Sequence, residues 1–114
     1  MALTDLSFIQ QFTGNDPAKA KKYITMFLTS APLLVHKMEE SLASGDFDTL
    51  RINAHSLKPL ISYMGIASLE QPIKDIESYA ASKSDTNALP QMLESFKLQI
   101  GKAIEELKVK EASL

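Results

Sequence analysis

Two histidines are the side chains best suited to nucleophilic chemistry, since the chain contains no cysteine. At about 100° per residue, the positions within about 60° of His55 on a helix are Asp48, Arg51, Ile52, Lys58, Pro59, Ser62 and Ile66. A neutral imidazole is a nucleophile near neutral pH, and Lys58 and Arg51 could offset the charge of a phosphoryl group that it accepts. The same spacing is common on solvated helix faces, so it predicts either a phosphoacceptor or an ordinary polar surface.

The second histidine and the remaining polar residues offer no comparable site. His36 lies near an apolar stripe, and we expect a half-buried structural histidine or a surface one. No His-x-x-x-His spacing supports a zinc site, and no glycine-rich loop supports ATP binding. No paired carboxylates indicate a hydrolase. We therefore expect this chain to bind no metal and no cofactor.

Length and composition are those of one small domain. With 114 residues, 45% of them hydrophobic and 23% charged, the chain fits a single domain over residues 1–114. The formal net charge of -2 gives no basic surface for nucleic acid, and the purest apolar run, residues 31–35, is too short to span a membrane. We predict a cytoplasmic monomer that binds neither nucleic acid nor membrane.

The spacing of apolar residues predicts helices along the whole chain, and caps and breakers divide them. A short amphipathic helix is expected before Gly14. Asp16 and Pro17 then start a long helix that ends at Gly45. Pro32 lies inside this helix, and because proline removes a hydrogen bond and crowds the preceding turn, it predicts a kink or a split.

Three further helical boundaries complete the predicted fold. Asp46 caps a helix that ends at Gly65, and Ser68 with Gln71 has the pattern of a capping box at the start of the next helix. A last helix follows a polar loop and is expected to fray from about Lys108. Together these elements predict an all-α antiparallel four-helix bundle with a short additional N-terminal helix.

A family of signalling domains resembles this chain around His55. The motif of histidine-containing phosphotransfer (HPt) domains of two-component phosphorelays is similar to Ala54-His55-Ser56-Leu57-Lys58, with the run from Gly45 to Arg51 before it and Met64-Gly65 after it. The resemblance covers most of the chain, from about Leu6 to Ala81. The family has the helical bundle that the apolar spacing predicts.

The resemblance implies a role for several residues. His55 would accept the phosphoryl group, through its ring Nε2, and Lys58 would stabilise the phosphoryl oxygens. A receiver domain would dock on the residues around them, which are Arg51, Ile52, Pro59, Ser62 and, on the first helix, Phe12. For Phe12, the sequence leaves open whether the ring lies in the core or on this docking surface.

Pro59 departs from the family pattern, which usually has glycine directly after the lysine. Proline has no N–H to donate to the carbonyl of His55, so we expect α-helical geometry to bend or loosen at the histidine. This departure is the main support for an alternative function, a non-catalytic bundle that binds a receiver or a sensor without transfer.

The function that the resemblance implies is phosphoryl transfer between proteins. The chain would take a phosphoryl group from an aspartyl phosphate of one receiver domain and return it to another, with Mg²⁺ held by the receiver. Its partners would be response-regulator receiver domains and a hybrid sensor kinase. It would be a stoichiometric carrier rather than an enzyme, either free or as a domain of such a kinase.

Overall fold

The structure is a computed structural model that describes residues 2–114, and within that range it contains helices and turns but no β-strand. The five α-helices are α1 (Ser7–Phe12), α2 (Pro17–Ala43), α3 (Phe47–Tyr63), α4 (Ala67–Ser82) and α5 (Leu89–Ser113), with a 3-10 turn (Thr86–Ala88) before α5.

The four long helices form an antiparallel bundle. Three-residue turns reverse the chain between α2 and α3 and again between α3 and α4. Helix α2 contacts α3 and α5, and α4 contacts the same two helices, so the four close around one core while α1 lies against α2. The bundle predicted from apolar spacing is confirmed. The largest fully buried side chains include Phe27, Met38, Leu57, Ile61, Ile73, Ile76 and Phe96.

Two of the predicted helix starts are formed by the side chains that the sequence indicated. The Asp16 carboxylate accepts a hydrogen bond from the backbone N–H of Ala18 at 3.0 Å. The Asp46 carboxylate accepts one from the N–H of Thr49 at 3.1 Å. Each carboxylate satisfies a backbone donor that has no partner within the helix, which fixes where α2 and α3 begin.

The capping box predicted at Ser68 is wrong. Helix α4 begins at Ala67, two residues earlier than a cap at Ser68 would place it, and no side chain caps it. Gly65 has a positive φ of 62°, and this left-handed residue reverses the chain so abruptly that Ser68 already lies in the first helical turn. Gln71 donates instead to the carboxylate of Asp75, at 2.8 Å.

The interior prolines do not end their helices. Helix α2 runs unbroken through Pro32, so the predicted split is wrong, and α3 continues through Pro59 to Tyr63. Buried residues flank Pro32 on both sides, at Ala31 and Val35. Their packing supports α2 on both sides of the proline, which offsets the hydrogen bond that proline cannot make.

The C-terminal end of α5 is also more regular than expected. The helix continues to Ser113, beyond the position near Lys108 where fraying was expected. The Lys110 ammonium donates to the carbonyl of Thr4 at 3.0 Å, and the Glu111 carboxylate accepts from the Thr25 hydroxyl. These contacts with residues far away in the sequence hold the last turns of α5 in the bundle.

Candidate functional site

A carboxylate on α4 joins the two residues that the sequence indicated on α3. Nδ1 of His55 is 2.7 Å from Oε2 of Glu77, and Nζ of Lys58 is 2.8 Å from Oε1 of the same carboxylate. The His55 side chain is 68% exposed, whereas that of Glu77 is only 19% exposed. The imidazole is thus accessible from solvent while its partner is held between two helices.

The tight turn between α3 and α4 explains this meeting. In two antiparallel helices, residues equally far from the turn lie at the same level, and His55 and Glu77 are each eleven residues from Ile66. Lys58 lies three residues after His55, which places it on the same helical face one turn along. The core stripe of α3, with Leu57 and Ile61 fully buried, turns this face away from the bundle interior.

The electrostatics of Glu77 select one form of the histidine. Partial burial acts to raise the pKa of Glu77, but hydrogen bonds from Lys58 and then from His55, with the charges of both, outweigh it and lower that pKa below its ordinary value. An ionised carboxylate can only accept hydrogen bonds, so Nδ1 of His55 must carry a proton. In the neutral imidazole the lone pair is then on Nε2, the nitrogen that faces away from Glu77.

Arg51, Ile52 and Pro59 lie on α3 around the imidazole, as the helical spacing required. The Ile52 side chain is 52% exposed, Pro59 is exposed and Arg51 is half-buried. Within residues 2–114, Arg51 makes no ion pair. Ser62 is different, because its hydroxyl donates to the carboxylate of Glu70 on α4 at 3.2 Å.

Phe12 lies on the surface of the bundle. Its side chain is 63% exposed, which excludes the core position that the sequence had left open. The ring stacks on Phe8 with centroids 5.9 Å apart and meets the edge of Tyr23 at 5.5 Å. Phe8 in turn stacks on Tyr63 of α3 at 5.6 Å. Phe12 therefore belongs to an aromatic cluster that α1 shares with α2 and α3.

Glu77 is the residue that sequence reasoning missed. The sequence predicts no role for it, because a single carboxylate on an amphipathic helix is ordinary. The equal distances from the turn at Gly65 and Ile66 are the signal that could have found it. His36, by contrast, is exposed and lies 3.4 Å from Glu40 on its own helix.

Comparisons with known proteins agree with this fold. A family model described as the Hpt domain matches residues 22–110. The crystal structure of histidine-containing phosphotransfer protein B (HptB) from Pseudomonas aeruginosa PAO1 superposes with a TM-score of 0.87, at 19% sequence identity, over 98% of this chain and 96% of that one. A search of curated proteins gave no match.

The four-helix bundle and the family match together define the class of this protein, a helical phosphotransfer domain. The family match covers most of the chain, and the chain belongs to the Hpt domain family. Its function is phosphotransfer in phosphorelay signalling, as a carrier that interacts with receiver domains. In the part that the structure describes, no helix is long and apolar enough to cross a membrane.

Proposed function

We propose that His55 is the phosphoacceptor of this domain and that its Nε2 is the attacking atom. The single observation that carries this assignment is the contact of Nδ1 with Glu77 at 2.7 Å. An acceptor-only carboxylate keeps the proton on Nδ1 and leaves the Nε2 lone pair available in solvent. At metal sites, carboxylates that bind the other ring nitrogen orient histidines and raise their basicity in the same way.

The transfer step is an in-line displacement at phosphorus. The Nε2 lone pair of His55 forms a bond to the phosphorus of a receiver's aspartyl phosphate, and the bond from phosphorus to the aspartyl oxygen breaks. The receiver's aspartate leaves as a carboxylate. The phosphorylated ring, with its proton still on Nδ1, carries positive charge that the Glu77 carboxylate offsets. The reverse displacement passes the group to an aspartate of another receiver.

Lys58 acts on the phosphoryl oxygens in this proposal. Its ammonium is 2.8 Å from Glu77 and its side chain is 32% exposed, so it is held near the imidazole yet remains reachable. An ammonium carries three donors, and those not used by Glu77 can bind oxygens of the transferring group. Arg51, Ile52, Pro59 and Ser62 would form the surface on which the receiver docks around this centre.

Magnesium and the wider context complete the proposal. The Mg²⁺ would be held by acidic residues of the receiver, because Glu77 is already engaged by two donors of its own chain. The chain would act as a monomeric, stoichiometric carrier in the cytoplasm, and its lack of cysteine suits a reducing compartment. It would receive phosphoryl groups from the receiver of a hybrid sensor kinase, either in trans or as a domain of that kinase.

The test is transfer from a panel of phosphorylated receiver domains with Mg²⁺. We expect label that is stable to alkali and labile to acid, and its complete loss in His55→Gln. His36→Gln is the matched control and keeps full labelling, because His36 has similar exposure but no partner on another helix. Binding of receivers without any label in the unmodified chain would instead favour the non-catalytic interaction bundle.

A further inference from the structure

The segment Leu3–Asp5, here called the strap, contacts α5 at one end and the turn between α3 and α4 at the other. The Glu106 carboxylate of α5 accepts from the backbone N–H of Leu3 at 2.8 Å and of Thr4 at 2.7 Å, and also from the Thr4 hydroxyl. Lys110, one turn later on α5, donates to the same hydroxyl at 2.6 Å. Thr4 is only 4% exposed, so the bonds that it makes are partly shielded from solvent, whereas that of the Leu3 N–H is exposed.

The other end of the strap meets the turn between α3 and α4. The N–H of Asp5 donates to the carbonyl of Met64 at 3.1 Å. The Asp5 carbonyl oxygen lies 2.2 Å from where a Cβ on Gly65 would be, so only glycine leaves room for the strap at this point. The strap therefore connects α5 to the end of the histidine-bearing helix, and α1 begins two residues after it.

Helix α1 depends on such connections. It has six residues and one fully buried side chain, Ile9. Isolated helices of this length are not stable in water, so tertiary contacts must hold α1 in place. Glu106 is strongly engaged in this role. Burial acts to raise its pKa, but the bonds from Thr4 and Leu3, together with the Lys110 charge, outweigh it and lower that pKa to about 2.

Three exposed aromatic rings lie where α1 meets α3. Phe8, Phe12 and Tyr63, here called the aromatic surface, are 48%, 63% and 44% exposed and stack in one row. Tyr63 follows His55 by eight residues on α3, which is about 12 Å along the helix axis. A standard protein interface covers about 800 Å² on each partner, a patch roughly 30 Å wide. A receiver centred on His55 would thus reach Tyr63, the ring on which Phe8 stacks.

We propose that Glu106 and Thr4 are positioning residues for receiver docking, because they clamp the strap to α5 and so hold Phe8 and Phe12 beside Tyr63. This inference rests on the proposed function of His55. The clamp is remote from the imidazole, so it acts on encounter with the receiver and leaves the chemical step unchanged. Aromatic side chains commonly carry a large share of interface energy, which makes their placement matter.

The test compares Thr4→Val and Glu106→Gln with two controls. Thr4→Val keeps the side-chain volume but removes the hydroxyl, whereas Thr4→Ser keeps the hydroxyl. Glu105→Gln is the matched control for Glu106→Gln, because Glu105 is exposed and pairs only with Lys108. Hydrogen exchange of the α1 amides and single-turnover transfer at varied receiver concentration are measured on the full chain of each variant.

We expect Thr4→Val and Glu106→Gln to speed exchange of the α1 amides while α3 and α4 stay protected. The half-saturating receiver concentration should rise about fivefold to tenfold, the effect of losing about 1 to 1.4 kcal/mol of docking energy. The maximal transfer rate should remain within about twofold of the unmodified chain. Thr4→Ser and Glu105→Gln should behave as the unmodified chain in both measurements.

Three outcomes overturn the proposal, and they are distinguishable. Unchanged exchange of the α1 amides in both variants would mean that the strap does not hold α1. Faster exchange with an unchanged half-saturating concentration would leave the clamp a purely structural role. Failure of the unmodified chain to accept any phosphoryl group would overturn the proposed function, and the docking role of the strap with it.

Discussion

His36 and His55 are equally exposed, yet their surroundings differ in the way that chemistry requires. Their side chains are 67% and 68% exposed, and each has a carboxylate nearby. Glu40 lies on the same helix as His36, is itself 67% exposed and is 3.4 Å away. Glu77 comes from the neighbouring helix, is 19% exposed and also binds Lys58. Exposure gives access, whereas a carboxylate fixed by tertiary structure gives a defined tautomer.

Removing each carboxylate in turn tests whether the difference between the two histidines matters for transfer. We expect Glu77→Ala to slow phosphoryl transfer to His55 by about 10-fold to 100-fold, the usual cost of losing the partner that orients a functional histidine. Both neutral tautomers of His55 would then be populated, so the lone pair would be on Nε2 in only part of the molecules. The charge of the phosphorylated ring would also lose its counterion. Single-turnover transfer from a labelled receiver measures the effect.

Glu40→Ala is the matched control for that variant. It removes the carboxylate beside His36 and should leave the transfer rate unchanged. A rate for Glu77→Ala equal to that of Glu40→Ala would show that the contact with Glu77 has no part in the reaction, and would remove the observation on which the choice of Nε2 depends.

The second prediction concerns the lysine that shares Glu77. Lys58→Ala should lower the maximal transfer rate by about tenfold, because it removes an ammonium that stabilises phosphoryl charge. The effect should be no larger, since an ammonium that remains partly solvated stabilises this charge less than a buried one. Lys37→Ala, which removes the exposed lysine beside His36, should have no effect. If Lys58→Ala changed only the half-saturating receiver concentration, Lys58 would be a docking residue and not a ligand of the phosphoryl oxygens.

The sequence allowed the bundle and the proximity of His55 and Lys58 to be predicted, because both depend on local signals. Apolar spacing and the caps at Asp16 and Asp46 are local signals, and both survive into the fold. His55 and Lys58 share one helical face, so their proximity is local too. Glu77 is brought to them only by packing of α4 on α3, and a single chain carries no direct signal of such a contact except the length of the turn.

Pro32 and the strap also show that local sequence patterns do not predict long-range contacts. Local reasoning predicted a kink or a split at Pro32, and the split is absent because packing on both flanks keeps α2 continuous. The bonds of Glu106 to Leu3 and Thr4 join the two ends of the chain, and no local pattern indicates them. Features that depend on long-range contacts were the ones that the sequence alone did not predict, and they include the carboxylate of Glu77 that binds His55 and Lys58.

The smallest expected effect is on stability, and its dependence on pH distinguishes Glu77 from Glu40. Glu77→Gln should lower the free energy of unfolding by about 1 kcal/mol near pH 7, the usual value of a charge-assisted hydrogen bond that is partly exposed. The pKa of Glu77 lies below its ordinary value of 4.5 in the folded chain, so its ionised form stabilises the fold fully above pH 4.5. As the pH falls below 4.5 towards the lowered pKa, this contribution is lost. The difference in the free energy of unfolding between Glu77→Gln and the unmodified chain should therefore close on acidification, as measured by urea unfolding at a series of pH values.

Glu40→Gln should differ from the unmodified chain by no more than about 0.3 kcal/mol at any pH, because its pair lies on one exposed helix face. A gap for Glu77→Gln that stayed constant down to the acid limit would mean that packing of the side chain, and not its charge, supports His55 and Lys58.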